Sequence, residues 1–386
     1  MNKVMKGWTL CLLFACLSLS CRGPKQTQVD KLIEDGVEVV INHQQPYRLS
    51  DEPETFSLEE QFRLDTERQD LAELGIRSID EFEIGGRGNI YLSTGKQVFM
   101  FDGQGRYVQA LGKNGQGPGE YQMVLGLRIM KTGEISFYDA ENGKFLCFRP
   151  DGTWNKEIKK TSTIFTFEAL SLDNGYFILR ERHDEREKGT RRFQYALFDE
   201  NFEKIKDFRP TYSVEIPYYQ PSKINLLGYD MNCRISQDLV FVASSMDERL
   251  EIDVYNFRGD LVRKIRREAG REKVSDEFKA KTVKRWQQSA AWKEWDLEKK
   301  HYFPDLFPPF RRFWVDDGAR IFVETFEKGD HPGEVLLHIF NPQGIMTGLK
   351  SLAEARDRRF RDNRLYSVFR KDSGYDEIVG YQMRWE

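Results

Sequence analysis

The feature that most constrains the fold is a phrase that recurs along the chain. An apolar run of alternating pattern closes on an aromatic residue, and a polar turn carrying Asp, Asn or Gly follows at once. It occurs as Phe101-Asp102-Gly103-Gln104-Gly105, Phe148-Arg149-Pro150-Asp151-Gly152, Phe198-Asp199-Glu200-Asn201, Tyr255-Asn256-Phe257-Arg258-Gly259 and Phe340-Asn341-Pro342-Gln343-Gly344. Each reads as a hairpin turn, because Asp, Asn and Gly tolerate the left-handed backbone that tight turns need. The closing aromatics lie 47, 50, 57 and 85 residues apart. All but the last step are close to the ~40–50 residues of a four-stranded propeller blade.

Strands can be placed inside these units. The first unit reads as Arg77–Ile84, Asn89–Ser93, Gln97–Phe101 and Tyr107–Leu111, the second as Met123–Met130, Glu134–Asp139, Lys144–Arg149 and Trp154–Lys159. Aromatic residues make up 13% of the chain, which suits pleated, half-buried surfaces. The chain ends just after Leu365–Phe369 and Ile378–Met383, so a sixth unit lacks its outermost strand. An open blade edge invites aggregation. The strand-like runs Val37–Ile41 and Phe56–Leu64 offer the remedy, and a strand within Val37–Leu64 is expected to pair with Ile378–Met383. The expected fold is all-β, a six-bladed β-propeller over 37–386 closed by an N-terminal strand.

The step of 85 residues holds an insertion at about 268–310, between blades four and five. Ser275 is the expected N-cap of a helix with Asp276 and Glu277 in its first turn. Phe278, Val283 and Trp286 at helical spacing would glue that helix to the propeller. Trp292, Trp295 and Tyr302 fall off this stripe and are candidate binding residues, since their faces suit a sugar ring or a partner's anchor residue. Tyr218 and Tyr219, between blades three and four, are a second aromatic candidate. Arg182 and His183 belong to the mixed-sign run Arg180–Arg192, which reads as a solvated hairpin loop whose Arg forks could hold a carboxylate.

The first 21 residues differ from the rest. Lys3 and Lys6 precede an apolar run, Gly7–Leu19, too short to span a bilayer, and polar residues follow Cys21. This is the form of a lipoprotein signal over 1–21, with Cys21 acylated and 22–36 a linker. Ser18 departs from the usual Leu three residues before the cysteine; an ordinary secretory peptide is the alternative. Two or more acyl chains suffice for stable anchoring. The expected location is the cell envelope, anchored by lipid at the outer membrane. Cys147 and Cys233 read as buried free thiols.

The segment Ala110-Leu111-Gly112-Lys113-Asn114-Gly115-Gln116-Gly117-Pro118-Gly119-Glu120-Tyr121, with the turn at Phe101–Gly105 upstream, resembles the six-bladed β-propeller lipoproteins of Bacteroidota, themselves related to NHL-type and TolB-like propellers. The resemblance covers about 37–386 without the insertion. It implies an envelope lipoprotein and transfers no catalytic residue.

The 59 basic and 62 acidic residues leave no basic field for nucleic acid. Gly112–Gly119 lacks the Lys-Ser/Thr ending of a phosphate loop and reads as an interblade turn. The 5 histidines are scattered, without metal-ligand spacing, and no GxSxG elbow occurs. No catalytic residue, metal or cofactor is assigned. The leading expectation is a binding or scaffolding module for a glycan, peptide or protein partner, with a shallow aromatic patch and no convergence of ionisable groups. The alternative is a lyase or hydrolase with charged groups, His183 or His338 among them, meeting at the channel mouth.

Overall fold

A computed structural model describes residues 29–386 apart from Asp51, Arg87, 161–165, 216–222, 229–230 and Ala269. Cys21, Tyr218 and Tyr219 lie outside the described residues. Six blades of four antiparallel strands form the ring; five are four-stranded sheets, and blade four is part of a six-stranded sheet. Blades one to five span 81–111, 124–159, 166–215, 231–267 and 312–353, and blade six takes 357–385 plus the strand Phe56–Asp65. The middle strands Ile90–Ser93 and Val98–Phe101 are buried at every position, because a neighbouring blade covers each face. The outer strand Trp154–Lys159 keeps exposed positions instead. Six apolar clusters among the described residues each join two successive blades. The core is therefore a ring of wedges, and the last wedge joins Leu64, Val368 and Ile378 of blade six to Phe82, Ile90 and Phe101 of blade one.

The recurrent turn joins the third and fourth strands of a blade. Its Asp or Asn carboxyl or amide oxygen accepts backbone N–H groups across the turn, as Asp102 does from Gln104 and Arg106 at 2.9 and 3.0 Å, and Asn341 from Gln343 and Ile345 at 3.1 and 2.9 Å. The glycine that ends the phrase is left-handed and faces the preceding blade. A Cβ on Gly344 would approach Ile265 to 2.5 Å. Blade three has Phe202 at that place, also left-handed at φ 62°, and its ring stacks on Phe177 at 4.5 Å.

Closure follows the expected pairing. Phe56–Asp65 runs antiparallel to Asp376–Trp385, with Leu58 opposite Met383 and Leu64 opposite Ile378. A Cβ on Gly380 would overlap the Phe62 ring, so the glycine admits the closing strand. Val37–Asn42 has another place. It runs parallel to Leu261–Arg267 on the outer edge of blade four. Asp30–Glu34, inside the segment read as linker, pairs with it as a further strand. Asn42, fully buried, donates to the carbonyls of Arg266 and Gly344 at 3.1 and 2.9 Å and accepts from Met346 N–H at 2.7 Å. Tyr47 N–H bonds the Met346 carbonyl at 2.8 Å. The N-terminal segment thus straps blades four and five before it closes blade six.

Between blades four and five lie three helices, Asp276–Gln287, Ala290–Glu294 and Leu297–Lys300. Ser275 Oγ accepts from Phe278 N–H at 3.2 Å as N-cap. Phe278 meets Phe307 at 4.9 Å and Phe326 of blade five at 6.4 Å between centroids, which fixes the helix to the ring.

Candidate functional site

Each blade presents its first strand to the axis, so alternate residues of six short strands line one channel. The lining holds Glu81 and Glu83 from blade one, Arg128 from blade two, Glu168 from blade three and Arg234 from blade four. Trp314 and Asp316 come from blade five, Arg359 and Arg361 from blade six. The cavity they enclose measures about 640 Å³, within the range of small-ligand sites. Ionisable groups do converge here, contrary to the expected shallow aromatic patch. The reason is topological: inner strands are short of apolar neighbours on the axial side, and charges face the space that no blade fills.

Glu81 sits in the most unusual surroundings. The first strand of blade two bulges between Leu125 and Arg128, which turns two successive amides to the axis. Glu81 accepts from Gly126 N–H at 3.0 Å and from Leu127 N–H at 2.6 Å. Gly126 is left-handed at φ 66°, and a Cβ there would overlap the Ala169 carbonyl oxygen. Burial pushes the Glu81 carboxyl up to about 7, with the Glu168 charge adding to the rise and the two amides and Arg359 opposing it. Glu168 accepts a hydrogen bond from the buried Tyr195 hydroxyl.

Ion pairs complete the wall. Arg128 meets Asp173 at 2.8 Å, and Arg359 meets Glu83 at 2.8 Å and Asp357 at 2.7 Å. Behind the wall, fully buried Glu324 holds Arg358 at 2.7 Å and Arg312 at 3.2 Å. Both guanidinium groups lie 5.4 Å from the Trp314 ring centre. At the mouth formed by the turns after the inner strands, burial pushes Asp316 up to about 6. Among the described residues no three His, Cys, Asp or Glu side chains are grouped to hold a metal.

Those residues singled out from sequence that the structure describes lie elsewhere. Trp292 packs beside His301 at 5.5 Å and Trp295 beside Trp286 at 6.4 Å, all half-buried, so these aromatics face one another. Tyr302 sits in a two-residue parallel pairing with Asn225, which ties the insertion to the link before blade four. Arg182 and His183 stand not in a loop but in a continuous hairpin, Phe177–Glu185 with Thr190–Phe198. Arg182 is engaged bidentately by Asp184 at 3.1 and 2.9 Å, and His183 Nε2 lies 3.3 Å from Glu181. Arg182 and Arg191 together hold the Asp184 carboxyl well below the usual carboxylate range. His338 is fully buried in the third strand of blade five, 3.3 Å from Glu327. Neither His183 nor His338 lines the channel. Cys147 and Cys233 are buried free thiols.

The channel residues carried one signal in the sequence: a charge at inward positions of the first strand of each unit, as in Glu81-Phe82-Glu83. Residues 61–285, more than half of the chain, match the family DUF5128, described as a 6-bladed β-propeller. The chain belongs to this family. Among solved structures, this DUF5128 member is similar to a Bacteroides fragilis protein described as exported, at 15% identity and TM-score 0.54, over 90% of this chain and 99% of that one. A DUF4221 member from Bacteroides vulgatus aligns at 11% identity and TM-score 0.49, over 87% and 100%. A gluconolactonase from Xanthomonas campestris aligns at 10% and 0.40, over 88% and 100%. No match was found among curated proteins.

Proposed function

We propose that this propeller is an exported, lipid-anchored binding module of the cell envelope that takes a polar group of a glycan or peptide into its central channel. The observation that carries the reading is the cavity of about 640 Å³ walled by charges from all six blades. Such a wall recognises hydrogen-bonding and charged groups, and it is preorganised because its ion pairs are held by neighbouring strands. The exported description of the Bacteroides fragilis protein of like fold supports the location, as does the leader ending at Cys21. A glycan and peptide binding screen tests the ligand: Glu81→Gln and Arg128→Ala are expected to weaken any hit, and Trp292→Ala with Trp295→Ala to leave it unchanged. The reverse pattern would move the site to the insertion. Replacing Cys21 with Ser should shift the protein from the membrane fraction to the soluble one.

One observation favours the lyase or hydrolase reading. A carboxyl titrating at about 7, beside a second carboxylate that accepts from Tyr195, is suited to proton transfer near neutral pH. Turnover of a screened glycan or peptide with a pH limb near that value, lost in Glu81→Gln, would establish it.

A further inference from the structure

A second cavity, of about 300 Å³, opens where the inner strands begin, at the opposite end from the Asp316 mouth. It is lined by Asn232 and Arg234 of blade four, Arg311 and Arg312 of blade five, and Arg356 and Asp357 of blade six. The geometry points to this cavity as a binding site for an oxyanion, the carboxylate or phosphate of a small acidic ligand, built on Arg234 and Asn232. This goes beyond the reading above, since it concerns a different chamber, and of the anchoring pair only Arg234 also lines the larger cavity.

Arg234 differs from the arginines around it. Its Nε donates to the Phe313 carbonyl at 3.1 Å and its Nη1 to the Cys233 carbonyl at 2.8 Å. These bonds fix the guanidinium plane, with the Phe313 ring 5.9 Å away. No carboxylate among the described residues pairs with it, whereas Arg312 is held by Glu324 and Arg359 by Glu83 and Asp357. Nη2 is left open in a preset orientation, which suits the forked recognition of an oxyanion. Asn232 supplies the second observation. It is 7% exposed, and among the described residues its Nδ2 has no hydrogen-bond partner. A buried amide N–H₂ without a partner is unfavourable unless something else satisfies it, and a bound oxyanion oxygen would.

The acids nearby do not oppose this. Asp357 is already spent on Trp314 Nε1 at 2.9 Å, Arg359 at 2.7 Å and its neighbour Arg358 N–H at 2.8 Å. Asp80 is exposed at the rim. Four arginines against two aspartates leave the lining net positive.

The test is calorimetric titration of the folded protein at low ionic strength with D-glucuronate, inorganic phosphate and, as neutral control, D-glucose. Saturable binding of at least one anion is expected, and none of glucose. Glucuronate alone would assign the carboxylate, phosphate alone the phosphate. Arg234→Ala and Asn232→Leu should each weaken the anion by about tenfold or more, as loss of a charge-assisted bond implies. Arg234→Lys keeps the charge and the stem, and serves if the alanine variant does not fold; it should also weaken binding, because an ammonium cannot form the fork. Glu81→Gln, which lies in the larger cavity, should leave the anion affinity unchanged whether or not that cavity binds a ligand. The inference is overturned if neither anion binds, or if affinity is unchanged in Asn232→Leu, since Asn232 lines this cavity and not the larger one. Loss in Glu81→Gln alone would also overturn it, by placing the anion in the larger cavity.

Discussion

The channel wall and the helical insertion both carry side chains suited to binding, yet they are built in opposite ways. The wall gathers single charges from six strands that lie as much as 280 residues apart, from Glu81 to Arg361. Several of these charges are held by a partner on another blade, as Arg359 is by Glu83 and Arg128 by Asp173. The insertion gathers its aromatics from one stretch of sequence, and they pack on each other: Trp286 with Trp295, Trp292 with His301. A local cluster covers its own apolar faces, because those nearby are the first available to bury. A ring of blades leaves an axial gap that none of them fills, and polar groups there remain open to a ligand. Richness in aromatics is therefore a weaker sign of a site than the place where a closed architecture leaves space.

Four variants test this contrast, from the largest expected effect to the smallest. Glu324→Leu removes the acid behind the wall and leaves Arg358 buried without its partner, so a loss of about 3–5 kcal/mol is expected in denaturant unfolding. A loss near that of a surface substitution would mean the pair does not brace blades five and six. Gly126→Val places a branched side chain at a left-handed position against the Ala169 carbonyl. It should cost about 2–4 kcal/mol and remove the two amides from Glu81, read as a lowered thermal midpoint. An unchanged midpoint would show that the bulge tolerates a side chain.

Glu81→Gln acts through pH. Its carboxyl is raised in the folded state to about 7 from an ordinary 4.5. The neutral form is therefore favoured by folding, and its contribution is complete below about 4.5, falls as pH rises through 7, and is level above. Allowing for water in the channel, wild type should lose about 1–2 kcal/mol across that window relative to Glu81→Gln. Parallel stability curves of the two proteins from pH 4 to 8 would refute the shift. The smallest effect belongs to the insertion. Trp292→Ala should cost about 1 kcal/mol or less by thermal unfolding, since its ring is half-buried on a satellite of the ring, and a collapse of the whole propeller would contradict that independence.

Much of the fold was legible because a blade is a local event. Asp102, Asp199, Asn256 and Asn341 each organise a turn within a few residues, so the recurring turns marked five of the six blades. Closure by Phe56–Asp65 was legible for a different reason: an incomplete sixth blade demands a strand. The same logic could not decide between that run and Val37–Asn42, which is equally strand-like. The choice rests on Asn42, whose amide reads Gly344 and Met346 some 300 residues away. The hairpin at Arg180–Arg192 looked like a loop because charge suggests solvent, but its alternating residues pair in register up to Glu185 and Thr190.

By itself the sequence determined the repeat, the turn chemistry, the need for a borrowed strand and the N-capped helix after blade four, since each depends on residues close together or on an edge that must be covered. The tertiary structure alone decided which residues meet at the axis. It set Glu81 on the amides of a bulge in the next blade, left Arg234 without an ion-paired carboxylate among the described residues, and turned the aromatic insertion in on itself. These depend on which strand faces the gap when six twisted sheets close, a geometry fixed by all the wedges together and by no single segment.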